Sequence, residues 1–206
     1  PAEIRRALRF TDVHLLITPR YLLGRDQEQF LHDAIPGLGS ASSRHLRLAE
    51  LPYLRRICVL GTASAPWAST PDDLAAPFGG SLDEVILHEA ESEVTPADLM
   101  VLISTSGSTA DPKGVLHTHG TVVRQTSLGE AATGFPAIER SRILCGLPLF
   151  WTGGIQTVCG AMHLGVTLVC QERFEPREAL ELIRAERVTH ASLWPTLWQR
   201  LVATPG

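Results

Sequence analysis

Lysine is almost missing from this 206-residue sequence: Lys113 stands alone against 17 arginines. Arginine in place of lysine usually reflects genomic composition, so most cationic positions here accept arginine. The one position that kept a flexible ammonium invites a chemical reason. Cysteine is also sparse. Cys58, Cys145, Cys159 and Cys170 are scattered in apolar contexts with no CxxC pair. Neither a zinc centre nor a disulfide framework is expected, and a reducing cytoplasm is the simplest setting. No apolar run reaches membrane-span length, and no signal-peptide core follows the opening Pro-Ala-Glu-Ile-Arg-Arg. The first residue is Pro1 rather than methionine, so the sequence reads as a piece of something longer. Charged residues make up 19% and apolar residues 44%, which excludes a disordered or collagen-like chain. A formal net charge of −4 argues against nucleic acid as the main partner.

Charge falls into zones. Residues 1–56 carry nine arginines and six acids, whereas residues 57–123 carry nine acids and a single cation, Lys113. The hydropathy pattern alternates between short apolar runs and helical periodicity. Strands are expected at 13–18, 56–60, 99–103, 143–147, 166–170 and 188–192, that at 99–103 buried. Helices are expected at 2–10, 26–34, 119–132, 152–164, 176–186 and 195–202, with Gly165 closing one and Pro195 opening another. Loops are expected at 37–43, 62–77 and 89–98. This alternation predicts an α/β layered fold with a largely parallel sheet and flanking helices.

The 99–103 strand runs straight into Ser104-Thr105-Ser106-Gly107-Ser108-Thr109-Ala110-Asp111-Pro112-Lys113-Gly114. Small residues let backbone N–H groups converge on an anion, hydroxyls add donors, and Lys113 adds a mobile charge. That is a polyphosphate-binding composition. It is not a Walker A loop, because Pro112 precedes Lys113 and Gly114 follows it. Nor is it an SxxK acylating motif, because Ala110 stands where that serine would be.

The string resembles the phosphate loop of the adenylate-forming (AMP-binding) superfamily, whose signature is approximately T-S-G-[ST]-T-G-x-P-K-G-V. Thr105, Ser106, Gly107, Ser108, Thr109, Pro112, Lys113, Gly114 and Val115 match in order, and Ala110 replaces a glycine. Two further segments share the resemblance. Thr118-His119 follows the loop, and Pro148-Leu149-Phe150-Trp151-Thr152-Gly153-Gly154 is similar to the family's P-[LF]-F-H-x-x-G, with Trp151 in place of histidine.

The resemblance implies ATP-dependent activation of a carboxylic acid to an acyl-adenylate, then transfer to coenzyme A, with Mg²⁺ accompanying ATP. It implies Thr105, Ser106, Gly107, Ser108, Thr109 and Lys113 as the grip on the ATP phosphates, with Lys113 also catalytic. It implies Trp151, Gly153 and Gly154 at the acyl group. Amino-acid-activating members carry an aspartate in the segment aligned with 148–154; here that stretch holds no acid. An uncharged fatty or aryl acid, and the acyl-CoA synthetase branch, are therefore expected. The family's Y-G-x-T-E, T-G-D and C-terminal lysine motifs do not occur. The expectation is a partial N-terminal domain over 1–206, with an upstream segment 1–98, the phosphate loop and βα units in 99–206, and no C-terminal domain. A non-catalytic nucleotide-binding remnant, or an adenylation domain with another acceptor, are the alternatives. His117-x-His119 is read as structural and no metal ligands are assigned. Trp194 and Trp198, at helical spacing, are read as core or interface.

Overall fold

In the computed structural model, residues 2–41, 45–76, 83–105, 113–133 and 141–205 are described. The chain divides into two compact units, Pro1–Glu91 and Ser92–Gly206. Among the described residues, no helix is long and apolar enough to cross a membrane.

The first unit contains α1 (Ala2–Phe10), β1 (Leu15–Pro19), a small hairpin of β2 (Tyr21–Leu22) and β3 (Arg25–Asp26), α2 (Gln27–Ala34) and a 3-10 turn at Leu38–Ser40. β4 (Arg56–Leu60), β5 (Ala68–Ser69), α3 (Pro71–Ala75) and α4 (Glu84–Ser92) follow. β4 lies between β1 and β5, and all three run parallel, with Ile17 beside Cys58 and Ile57 beside Ala68. The apolar, β-branched sequence of β4 suits a strand covered on both faces, and Ile57, Cys58 and Val59 are all buried. Leu31, Ile35, Leu38, Leu54 and Trp67 complete this core, each buried aliphatic side chain contributing about 1.5–3 kcal/mol. The hairpin turns through Leu23 and Gly24, both at positive φ (50° and 76°), as a two-residue type I′ turn demands.

A polar network is buried in the same unit. Asp26 caps α2, accepting from the Gln29 N–H at 3.2 Å. Glu28, 5% exposed, accepts from the Ser64 N–H (2.9 Å), the Ser64 hydroxyl (2.6 Å) and the Ala65 N–H (3.2 Å). Arg20 pairs with Glu28 and, at 2.7 Å, with Asp26. The Gln29 N–H first, and then Arg20, hold the Asp26 carboxyl below its ordinary range.

The expected loops are more structured than their composition suggests. Residues 62–77 hold β5 and α3, the latter started by a Thr70–Asp73 capping box. Residues 89–92 belong to α4. The 37–43 segment contains the 3-10 turn, and its residues 42 and 43 lie outside the described residues.

The second unit contains β6 (Leu99–Thr105), β7 (Lys113–Thr118), α5 (His119–Thr133), β8 (Arg142–Cys145), α6 (Thr152–Leu164), β9 (Thr167–Cys170), α7 (Pro176–Ala185), β10 (His190–Ser192) and α8 (Pro195–Val202). β8 is the centre of a three-stranded parallel sheet, flanked by β9 and β10. α6 ends at Gly165, whose φ of 65° lets its N–H reach back to the Ala161 and Met162 carbonyls. Pro176 and Pro195 open α7 and α8. Leu144, Val169, Ala179 and Leu201 bury together, so α7 and α8 cover one face of this sheet. Ser192 points to the other face, where its hydroxyl meets that of Thr157 on α6 at 3.2 Å.

Two expectations about β6 are corrected. It pairs antiparallel with β7, a strand that the hydropathy pattern does not announce. It is also not buried: Leu99 is 62% exposed, and Ile103 is its one buried residue. Burial of a strand face depends on what packs over it, which its hydropathy alone does not reveal.

Candidate functional site

The phosphate-loop residues divide into those described and those not. Ser106, Gly107, Ser108 and Thr109 lie outside the described residues. Thr105 and Lys113, which bracket them, are the last rung of the β6–β7 hairpin. Thr105 Oγ1 donates to the Lys113 carbonyl at 3.3 Å, and both residues are exposed. The hairpin thus fixes both ends of the 106–112 segment side by side, with the ammonium at one root and a hydroxyl at the other.

Strand alternation places Thr105 and Lys113 on the same face of the hairpin as Ile103, Val101 and His117. That face looks toward α5 and α6 across a cavity of about 230 Å³, lined by Val101, Ile103, His117, Val122 and Ile155 among others. This volume is below the usual range for organic ligands. α5 starts immediately after β7 because Thr118 caps it, accepting from the Thr121 N–H at 3.2 Å. His117 and His119 fall on a strand and a helix start, and no group of three metal-binding side chains occurs among the described residues.

The second cluster sits at the carboxyl end of the parallel sheet. From β8 the chain passes through α6 to β9, and from β9 it returns through α7 to β10 on the opposite side of β8. Successive right-handed crossovers in opposite directions place their helices on opposite faces. The carboxyl ends of β8 and β10 are therefore the position at which α/β sheets take their ligands. Trp151 follows β8 and Trp194 follows β10, and their rings meet edge to face with centroids 6.1 Å apart. Phe150 stacks edge-on against Trp151 at 6.0 Å. All three are exposed, at 73% for Phe150, 46% for Trp151 and 45% for Trp194.

Of the two readings of Trp194 and Trp198, core or interface, core is ruled out, since both indoles are exposed beyond 40%. The signal that would have found Trp194 is positional: it lies just beyond a short strand and precedes the proline that opens a helix. Gly153 and Gly154 lie in the first turn of α6. A Cβ on Gly154 would sit 2.1 Å from the Pro148 carbonyl oxygen and 2.7 Å from Leu149 Cα, so only glycine lets the 148–151 turn fold onto the helix.

The sequence profile described as AMP-binding enzyme matches residues 1–206. The chain belongs to this family. Among AMP-binding enzymes it is similar to a 3-(7a-methyl-1,5-dioxo-octahydro-1H-inden-4-yl)propanoyl:CoA ligase of Mycobacterium tuberculosis, at 31% identity over 170 residues, 82% of this chain and 32% of that protein. It is also 31% identical over 140 residues to a 2-succinylbenzoate–CoA ligase of Bacillus velezensis, covering 68% of this chain and 27% of the relative. The N-terminal domain of FACL13 from Mycobacterium tuberculosis has the same fold, with a TM-score of 0.65 at 23% identity over 98% of this chain and 43% of that one. The chain thus spans about a third or less of the length of these two ligases.

Proposed function

We propose that this chain supplies the phosphate grip and one wall of the acid pocket of an acyl-CoA synthetase. The observation that carries the reading is the position of Lys113, the one lysine of the sequence. It lies at the root of the matching phosphate loop, directly opposite Thr105.

In the first half-reaction a carboxylate oxygen attacks the α-phosphorus of MgATP and the bond to the β-phosphate oxygen breaks. Acyl-adenylate and pyrophosphate result. In the second, the thiolate of coenzyme A attacks the acyl carbonyl carbon and AMP departs. MgATP enters as substrate. The described residues at the hairpin mouth offer a hydroxyl and an ammonium, donors suited to phosphate oxygens. Lys113 and Thr105, with Ser106, Gly107, Ser108 and Thr109, hold the β- and γ-phosphates and stabilise the charge that develops on the leaving pyrophosphate. Holding those phosphates also fixes the α-phosphorus for in-line attack.

The acid lies beside Trp151, with Gly153 and Gly154 letting the turn that carries Trp151 pack onto the start of α6. Two indoles and a phenyl ring with no carboxylate in the 148–154 segment favour an uncharged acyl body, and a flat aryl or fused-ring acid above a polar one. A cytoplasmic setting and a role in fatty or aryl acid metabolism go with that reading.

The test is ATP–pyrophosphate exchange by the full-length protein with a panel of fatty, aryl and fused-ring acids. Acid-dependent exchange supports the proposal. Nucleotide binding without exchange for any acid would favour the second reading, a non-catalytic nucleotide-binding remnant, for which the replacement of a loop glycine by Ala110 speaks.

A further inference from the structure

Two of the four cysteines are neighbours in space. Cys145 is the last residue of β8 and Cys170 the last of β9, and they are register partners across the parallel pair. Adjacent strands lie about 4.8 Å apart, and register partners project to the same face. That separation falls within the backbone spacing that a disulfide can bridge, about 4.4–6.8 Å between α-carbons. Both thiols are free.

Their row continues across the sheet. Ser192 of β10 is the partner of Cys145 on its other side, and Ser192 bonds to Thr157 of α6. The thiols therefore face α6, at the rim of the sheet and one strand over from the Trp151–Trp194 pair. Their exposure differs. Cys170 is open to solvent, whereas Cys145 is 3% exposed and directs its Sγ toward the Leu147 carbonyl at 3.7 Å. One thiol can meet a reagent and the other can meet only its neighbour. Burial first, and then Cys145, push the Cys170 thiol up, so the attacking thiolate forms more readily as the pH is raised.

We infer that Cys145 and Cys170 form an oxidisable dithiol that closes into a disulfide across the carboxyl ends of β8 and β9. With a hydroperoxide as oxidant, the Cys170 thiolate attacks the peroxide oxygen, the O–O bond breaks and Cys170 becomes a sulfenic acid. Cys145 sulfur then attacks the Cys170 sulfur, the S–O bond breaks, and the thiol proton leaves with the hydroxyl as water. The sum is two thiols and one hydrogen peroxide giving one disulfide and two waters. Position at the strand ends matters, because the backbone beyond each cysteine is loop and can adjust to the new bond. Cys58 lies in the other unit beside Ser69, and Cys159 sits within α6 with no strand partner, so neither competes in this register.

The experiment treats the full-length protein with hydrogen peroxide and maps its cysteines by mass spectrometry without reduction. The expected product is a linked peptide pair containing Cys145 and Cys170, lighter by two hydrogens and restored by dithiothreitol. Cys170→Ser, at an exposed position, abolishes the link, and Cys159→Ser leaves it intact. A Cys170 that pairs with Cys159 or another chain, or advances to sulfinic acid with Cys145 still free, would overturn the inference. So would a link that persists in Cys170→Ser.

Discussion

Thr105 and Lys113 face each other across the final rung of a two-stranded hairpin, the threonine hydroxyl donating to the lysine carbonyl at 3.3 Å. The bond ties the two roots of the phosphate loop through backbone and hydroxyl and leaves the ammonium free of that task. Lys113→Ala in the full-length protein should therefore keep the fold and lose charge at the leaving pyrophosphate. Exchange is expected to slow by about one to three decades, with an unchanged melting temperature. Full exchange in that variant would remove Lys113 from the chemistry.

The aromatic pair gives a second expectation. Trp151→Ala and Trp194→Ala should each weaken use of aryl acids, with KM for the acid rising about two- to tenfold beyond the loss of contact area. Because the rings touch, the double variant should lose less than the product of the singles. Strictly multiplicative losses would mean that the two indoles act on the acid separately.

Much of the second unit was legible in the sequence, for identifiable reasons. α6 and α8 have the predicted bounds because Gly165 and Pro195 mark an end and a start through backbone geometry alone. β7 was not legible. Its six residues follow directly on a hydroxyl-rich loop, and Lys-Gly-Val-Leu-His-Thr lacks the alternation of a half-buried strand. Its strand character comes from pairing with β6, a tertiary fact. The meeting of Trp151 with Trp194 and of Glu28 with Ser64 was equally hidden, since each joins residues more than 35 positions apart. Local pattern carries no information on such pairs.

Gly154→Ala should report on the turn that presents Trp151. The new methyl meets backbone atoms at 2.1 and 2.7 Å, which no side-chain rotation relieves. A stability loss of about 1–3 kcal/mol is expected, with a raised KM for the acid and little change in KM for ATP. Thermal unfolding and steady-state kinetics read the two effects separately. An equal rise in both KM values would place Gly154 outside the acid pocket.

Acid should loosen the segment before β6. The Thr95 N–H, and then its hydroxyl, donate to Asp98, and the charge of His119 assists. Its carboxyl is thereby held below the ordinary value, so the ionised form favours the fold. Asp98 contributes fully above the unfolded carboxylate pKa, about 3.9. Its contribution fades as pH falls through that value toward the depressed one. Asp98→Asn keeps an acceptor for Thr95 but cannot titrate. Urea midpoints measured from about pH 5 to pH 2 should fall less steeply in the variant, and parallel curves would contradict the assignment.

The Arg20–Glu28 pair has a consequence for how the sequence can drift. Removing Arg20 leaves the buried Glu28 carboxylate without its cation, while loss of Glu28 leaves Arg20 paired with Asp26 but strands the Ser64 and Ala65 N–H groups. Replacing both by apolar residues still strands those N–H groups and takes Arg20 from Asp26. Single and paired steps alike run downhill unless the turn at 64–65 changes with them. Homologous chains should therefore keep positions 20, 26 and 28 and the 64–65 turn together, travelling through descent as one inherited character.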